Sequence, residues 1–344
     1  MSRGGGKAKS VPAINLKSLA EYLHLTPGTV SVVLNGVPRA NEIPQKTQDR
    51  IFAAARKLNY RPNHVARTLK KKRSLTVGIL APEISEGYGA LLLNAIGEYL
   101  IGHGYFYFVA THGRRSDLLE EYPRILMERS VEGFIVIDTA LETPLPLPAV
   151  AISGHEKIRN VTNVILDHDL AATLALQHLV EFGHKRIVFM KGQPFSSDSA
   201  ERWRAIRLAA ARLGLKVFPE LTLQLTMDTF SPEVGYPVMR EFLKKNKEFT
   251  ALVAYNDFSA IGAVRSLREA GLRVPEDVSV IGFDDVNSAA YQNPSLTTIR
   301  QPWQRMAKIA AQTLLDRLNG KHVPAEILVE PELVIRESTG LCRQ

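Results

Sequence analysis

The sequence predicts an α/β protein in two parts: a small N-terminal three-helix head with helix-turn-helix spacing, and a larger body with two parallel sheets. Three observations predict it. Residues 1–73 hold 15 Lys+Arg against 3 Asp+Glu, a net of +12, whereas residues 74–344 hold 28 against 32, a net of −4. Inside the basic segment, short apolar stripes recur at helical spacing. Beyond Ser74, apolar strand-like runs alternate with helical stripes in two successive series, which implies two parallel sheets and hence two lobes.

Residues 1–13 are small, basic and Gly-rich, the composition of a mobile arm. Their GGGKAKS follows no strand and has Ala8 where a phosphate loop needs Ser or Thr after its lysine. From Leu16 the pattern is helical, with Leu16, Leu19, Ala20 and Leu23 on one stripe. Thr26-Pro27 restarts a helix as N-cap and first residue, and Asn35-Gly36 ends it. On this second helix Val30, Val33 and Leu34 share one face, so Gly28, Thr29, Ser31 and Val32 point elsewhere. A third helix follows Pro44, striped by Ile51, Ala54, Ala55 and Leu58. The tight connection at residues 24–26 gives the first two helices their helix-turn-helix spacing.

After Arg61-Pro62-Asn63 comes an amphipathic stretch through Lys72, with Val65, Ala66 and Leu69 on one side and Arg67 and Lys70–Arg73 around them. It is too short to be a stable isolated helix and should order only against a partner. In the body, strands are expected at 75–80, 105–110, 133–137, 149–152, 186–190, 222–226, 251–254 and 278–282. Helices are expected at about 89–102, 117–129, 168–182, 201–213, 233–245 and 257–271. Ligands of such sheets bind beyond the carboxyl ends of the strands, and two lobes place those ends across a cleft.

The charge asymmetry suits a polyanion, because each Lys or Arg set on a phosphate releases a counterion. No apolar run approaches the length of a membrane-spanning helix, and the opening MSRGGGKAKS lacks the apolar stretch of a secretory signal. A cytoplasmic protein without membrane partners is therefore expected. The single cysteine, Cys342, forms neither an internal disulfide nor a thiolate metal site by itself.

The stretch NLKSLAEYLHLTPGTVSVVLNG, continuing through LNYRPNHVARTLKKKRS, resembles the head and hinge of the lactose/galactose repressor (LacI/GalR) family. The body carries the same resemblance in VEFGHKRIVFM at 180–190, in ALVAYNDFSAIGAVRSLREAGLRVPEDVSVIGFDD at 251–285 and in SLTTIRQP at 295–302. It covers about residues 14–340. The family likeness implies a helix-turn-helix domain at 14–60, a hinge helix at 61–73 and an effector-binding and dimerisation domain at 74–340. It also implies a body like periplasmic sugar-binding proteins, with lobe one at about 74–153 plus 300–320 and lobe two at about 163–285 plus 321–340. The chain would cross between lobes near 153–163 and 285–300.

The implied function is a sequence-specific DNA-binding transcriptional regulator, a repressor, whose operator affinity responds to a small molecule in the cleft. Its partners are a pseudo-palindromic duplex operator, a carbohydrate effector and a second copy of the chain. No heptad run follows Thr339, which favours a dimer. In the head, Pro27, Gly28 and Val32 face base edges, while Thr29 and Ser31, flanked by Thr26 and Asn35, hold phosphates. Val32 stands where many relatives have arginine, so readout leans on thymine methyls, backbone approach and DNA shape. In the hinge, Asn63, Ala66, Arg67 and Leu69 would meet the minor groove, with Leu69 wedging a base step; the alternative is an ordinary core leucine.

In the body the resemblance assigns effector contacts to Arg202, Asn256 and Asp284, with Phe230 as an aromatic platform. Vicinal hydroxyls both donate and accept, which an arginine, an amide and a carboxylate match, and an aromatic ring covers an apolar C–H face. Each has a structural alternative: a loop cap at Asp284-Asp285, a helix start at Asn256-Asp257, a surface ion pair at Arg202. Glu83, Tyr88 and Ser153 would line lobe one, where the sequence departs most from the family, and a pentose, hexose, disaccharide, sugar acid or purine all fit. No G-x-S-x-G, H-E-x-x-H or complete Walker motif is present, so neither an enzyme nor a cofactor is expected. The histidines do not recur at metal-ligand spacing, and His168 between Asp167 and Asp169 reads as a helix start, so no metal is expected.

Overall fold

The computed structural model describes residues 14–60, 73–84, 88–139, 141, 143–229, 231–245 and 248–343. The expected arm at 1–13, the hinge at 61–72 and Phe230 lie outside these residues. The chain divides into two compact units after Ser74.

In the first unit, α1 (Leu16–Leu23), α2 (Pro27–Leu34) and α3 (Gln45–Lys57) pack around Leu19, Ala20, Leu23, Val30, Val33, Ile51, Ala54 and Ala55. Local chemistry fixes each start and stop. Asn15 caps α1 by accepting from the Ser18 amide at 2.9 Å, and His24 ends it with a left-handed φ of 56°. Thr26 then accepts from the Thr29 amide at 3.1 Å, with Pro27 supplying the pre-set φ of a first helical position. Arg50 on α3 donates to the Leu23 carbonyl at 3.3 Å, tying the third helix to the free end of the first. A core this small has little redundancy, so Leu19→Ala would cost about 2–5 kcal/mol.

The second unit holds two six-stranded sheets. The first has the order β11-β5-β4-β3-β1-β2, using β1 (Thr76–Ala81), β2 (Phe106–Thr111), β3 (Phe134–Ile137), β4 (Ala149–Ile152), β5 (Val161–Leu166) and β11 (Glu326–Val329), all parallel. The second has the order β12-β10-β9-β8-β6-β7, using β6 (Ile187–Lys191), β7 (Thr222–Gln224), β8 (Ala251–Val253), β9 (Ser279–Asp284), β10 (Thr297–Arg300) and β12 (Glu332–Val334). Among the described residues only β10–β12 pairs antiparallel. The central strands are buried on both faces, hence their continuous Val/Ile/Phe runs.

Helices α4 (Tyr88–Gly102), α5 (Ser116–Glu128) and α11 (Trp303–Leu318) belong to the first lobe. The second lobe holds α6 (His168–Glu181), α7 (Ser197–Arg212), α8 (Tyr236–Leu243), α9 (Asp257–Glu269) and the single turn α10 (Asn287–Ala290).

The lobe boundaries differ from the expected ones. Residues 161–166 stay in the first sheet as β5, so the chain leaves lobe one at Asp167 rather than near 153–163. It returns at Gln301-Pro302, after β10 has paired with β9 in the second sheet, and not within 285–300. A third crossing at residues 330–331 sends β11 to one sheet and β12 to the other. The 321–340 segment is therefore shared between lobes instead of belonging to lobe two. These strands were missed because they are short and interrupted by polar residues, as by the adjacent Thr162 and Asn163 in the Val161–Leu166 run VTNVIL.

Candidate functional site

On the head, α2 presents Thr26, Pro27, Gly28 and Asn35 to solvent, with Thr29, Ser31 and Val32 half-buried. The hydroxyls of Thr26 and Thr29 lie 2.9 Å apart, and Asn35 donates to the Ser31 carbonyl at 2.7 Å. A Cβ on Gly28 would meet only Thr26 Oγ1, at 3.8 Å. The backbone there is thus open to close approach by a partner. Asn63, Ala66, Arg67 and Leu69 lie outside the described residues.

In the body, a pocket opens where strand ends of the two sheets face one another, lined by Arg114 and Asp138 from lobe one and by Asp198, Arg202, Tyr255, Asn256 and Asp284 from lobe two. Three of the predicted residues, Arg202, Asn256 and Asp284, converge here. Glu83 is exposed past the end of β1 and Ser153 is buried past the end of β4, and neither lines the pocket. Tyr88 begins α4; its side chain and all of Phe230 lie outside the described residues, next to which Thr229 lines the pocket.

Arg202 is buried, not a surface ion pair. Its Nη1 donates to the Tyr255 carbonyl at 2.6 Å, its Nη2 stands 3.5 Å from Asp198 Oδ2, and its guanidinium lies 3.5 Å from the Phe283 ring centroid. It also lies 4.5 Å from the Tyr255 ring centroid. Gly192, at the end of β6, makes room for that ring, because a Cβ there would overlap it.

Asp284 ends β9 at a φ of 111° and Asp285 follows at 56°, a strained corner for non-glycine residues. Trp303 Nε1 holds the Asp284 carbonyl at 3.2 Å and Gln301 Nε2 donates to its carboxylate at 2.7 Å. Burial raises the Asp284 carboxyl to about 7, helped by Asp198 and Asp138 and opposed by Arg202 and the Gln301 hydrogen bond. Asn256 does start a helix: its Oδ1 accepts from the Ser259 amide at 2.9 Å in a capping box with Ser259.

Residues the sequence reading missed include Arg114, Asp138, Asp198 and Gln301. Arg114 spans the cleft, donating from Nε to Asp228 at 3.1 Å, and Ser197 donates to Asp138 at 2.9 Å. Asp138 follows the β3 run FIVI, the strand-end position where ligands gather, and Asp198 precedes Arg202 by one helical turn. Among the described residues, the buried side-chain atoms without a hydrogen-bond partner are Arg202 Nε, Gln301 Oε1 and His168 Nδ1, all at or beside this pocket. Such orphans are rare in folded interiors, and their concentration here marks a surface made for a polar ligand.

His155, His168 and Asp198 bring donor atoms within 4.8 Å of one another, close enough to hold a metal ion. The surroundings do not fit one. A His168 ligating through Nε2 would carry its proton on Nδ1, which has no acceptor, and Arg202 stands beside the same carboxylate.

A basic helix-turn-helix unit joined to a two-lobed binding body defines a ligand-responsive DNA-binding regulator. Comparison with known proteins agrees. Residues 176–339 match the periplasmic binding protein-like domain family. The HTH-type transcriptional repressor PurR of Haemophilus influenzae is 31% identical over 336 residues, spanning 94% of this chain and 98% of the relative. PurR of Aliivibrio fischeri is also 31% identical, over 332 residues, spanning 94% and 97%. The lac repressor dimer bound to operator and the anti-inducer ONPF superposes with a TM-score of 0.85 at 25% identity, over 95% of this chain and 99% of that one. The CelR–cellobiose complex superposes with a TM-score of 0.69 at 28% identity, over 94% and 99%. The chain belongs to the LacI/GalR family of transcriptional regulators. It is a DNA-binding repressor modulated by a small molecule, and the curated relatives named above are repressors rather than enzymes.

Proposed function

We propose that the protein is a homodimeric repressor that reads a pseudo-palindromic operator and binds a carbohydrate effector in the interlobe cleft. The cluster of buried polar atoms without partners around Arg202 and Gln301 carries the reading. Arg202 donates to ligand hydroxyls, Asp284 accepts from them or donates when protonated, and Asn256 keeps its amide group for the ligand while its oxygen caps α9. Phe230, beside Thr229, supplies an apolar platform. The solved CelR complex holds cellobiose, which favours a sugar over the other candidates.

On DNA, Pro27, Gly28 and Val32 read the major groove, Thr29 and Ser31 fix the helix on phosphates, and Thr26 and Asn35 belong to the same DNA-binding surface. Residues 61–73 fold as paired hinge helices only when the twin subunit and the duplex hold them, so operator binding includes that folding free energy. There Asn63, Ala66 and Arg67 follow the minor groove and Leu69 wedges a base step. An effector with unequal affinity for two lobe arrangements shifts hinge spacing and thereby DNA affinity, reciprocally. The protein works in the cytoplasm, where chromosomal DNA is reached.

The test has two stages. An operator is selected from random duplexes, and operator affinity is then titrated with sugars and nucleobases while thermal stability is followed. Trp303, whose indole nitrogen donates to the Asp284 carbonyl, provides an optical signal of occupancy. A sugar that raises stability and changes operator affinity in wild type, and does neither in Arg202→Ala, supports the proposal. Saturation of the cleft with no change in operator affinity overturns the coupling, and a nucleobase acting in place of every sugar overturns the carbohydrate assignment.

A further inference from the structure

The first turn of α7 is where lobe one grips lobe two. Ser197 reaches Asp138 at the end of β3, and Asp198 Oδ1 meets His155 Nε2 at 2.7 Å. His155 lies on the loop between β4 and β5, so this contact crosses the cleft. On the lobe-two side, His168 Nε2 stands 3.3 Å from the same oxygen and Arg202 Nη2 stands 3.5 Å from the other. One carboxylate therefore gathers three donors, one of them from the opposite lobe, and Arg202 is the residue that faces the ligand.

The two histidines are not equivalent. His168 is buried with an unpartnered Nδ1, so a second proton would create an N–H with no acceptor. Burial lowers its basicity, and Arg202 and His155 lower it further against the pull of Asp198. His155 is half-buried. Burial pulls its basicity down, but the hydrogen bond and charge of Asp198, with the charge of Glu201, raise it above the ordinary 6.5 against Arg202. The groups facing it are Asp198, Glu201 and Arg202 on α7 and His168 on α6, with Glu156 and Lys157 beside it on its own loop.

We propose that His155 is a positioning residue of the effector cleft: from lobe one it holds the Asp198 carboxylate of lobe two against Arg202, gripping hardest when it carries a proton. Asp198 thereby becomes part of the ligand wall, and mild acidification favours the closed arrangement. A charge-assisted hydrogen bond is roughly twice as strong as a neutral one, which sets the direction. The folded chain with this contact in place binds the proton more tightly than a free histidine does, so the gain is fully present below 6.5 and disappears as pH rises through the elevated value. The inference rests on the cleft being the ligand site, but its test requires no ligand.

Ligand-free, full-length wild type and His155→Gln are melted from about pH 6 to about pH 8.5, the window of histidine titration. Glutamine keeps a neutral donor and loses the titration. Wild type should melt about 2–4 °C higher than the variant at the acid end, and the gap should close toward the alkaline end. An NMR titration should place the His155 ring above 6.5 in wild type and move it down in Asp198→Asn, where burial and Arg202 act without the carboxylate. A gap that is constant with pH, or a His155 ring that titrates at or below 6.5, overturns the proposal. Either result leaves the cleft assignment standing or falling on the separate Arg202→Ala experiment.

Discussion

Asp284 shows what a single side chain contributes against stability. It is a buried carboxylate whose hydrogen-bonding partner is an amide, and its carboxyl is raised to about 7. A carboxyl whose folded value exceeds its ordinary 3.8 binds a proton more tightly when folded, so stability falls as pH rises from 3.8 through about 7. Asp284→Asn should therefore stabilise the ligand-free protein above neutral pH by about 1–3 kcal/mol, the scale of an uncompensated buried polar group. The same change should abolish the effector response. Thermal unfolding at pH 8 with and without a binding sugar reads both signs. Pairs of this kind, costly to the fold and useful to a ligand, were legible in the sequence only at Arg202, a helix residue that the family resemblance picked out, and at Asp284, where strand-end position and chemistry coincide. Asp198 was not legible, because nothing in the residue string says that a loop histidine 43 positions earlier arrives beside it.

The recognition helix allows two opposed predictions. Gly28 sits inside α2 with free space around it, and alanine is the better helix former by about 0.5–1 kcal/mol. Gly28→Ala should stabilise the head by that amount yet weaken operator binding, because the added methyl keeps the backbone away from the duplex. Equal or tighter binding would show that the backbone does not approach there. Val32→Arg should alter base preference in a selection experiment, adding a guanine contact of about 1–3 kcal/mol; unchanged preference would mean that this position does not face the groove. Helices α1 to α3 were readable almost to the residue, since caps such as Thr26-Pro27 are local chemistry. The helix at 303–318 was not anticipated, although its face of Met306, Ala307, Ala310 and Leu314 is regular, because Pro302 precedes it with no capping side chain to mark its start.

At the scale of the body, the two-lobed plan followed from alternation, whereas the crossings did not. Periodicity identifies a strand but not the sheet it joins, and β5, β10, β11 and β12 are placed by long-range pairing. Any movement of one lobe against the other has to pass through the three interlobe crossings at Asp167, Gln301-Pro302 and residues 330–331. Truncation after Gly320 removes β11 and β12, one edge from each sheet, and should abolish the unfolding transitions of both lobes together while the head keeps its own. Loss of one transition alone would show that the sheets are finished independently.

That shared pair of edge strands also bears on synthesis. Neither half of the body completes its hydrogen-bonded ladder until the segment 326–334 has left the ribosome, long after the DNA-reading helices have emerged and collapsed. For most of translation the nascent chain therefore carries a finished head and two sheets with bare rims, an arrangement that calls for chaperone cover and makes premature termination wasteful rather than partially functional.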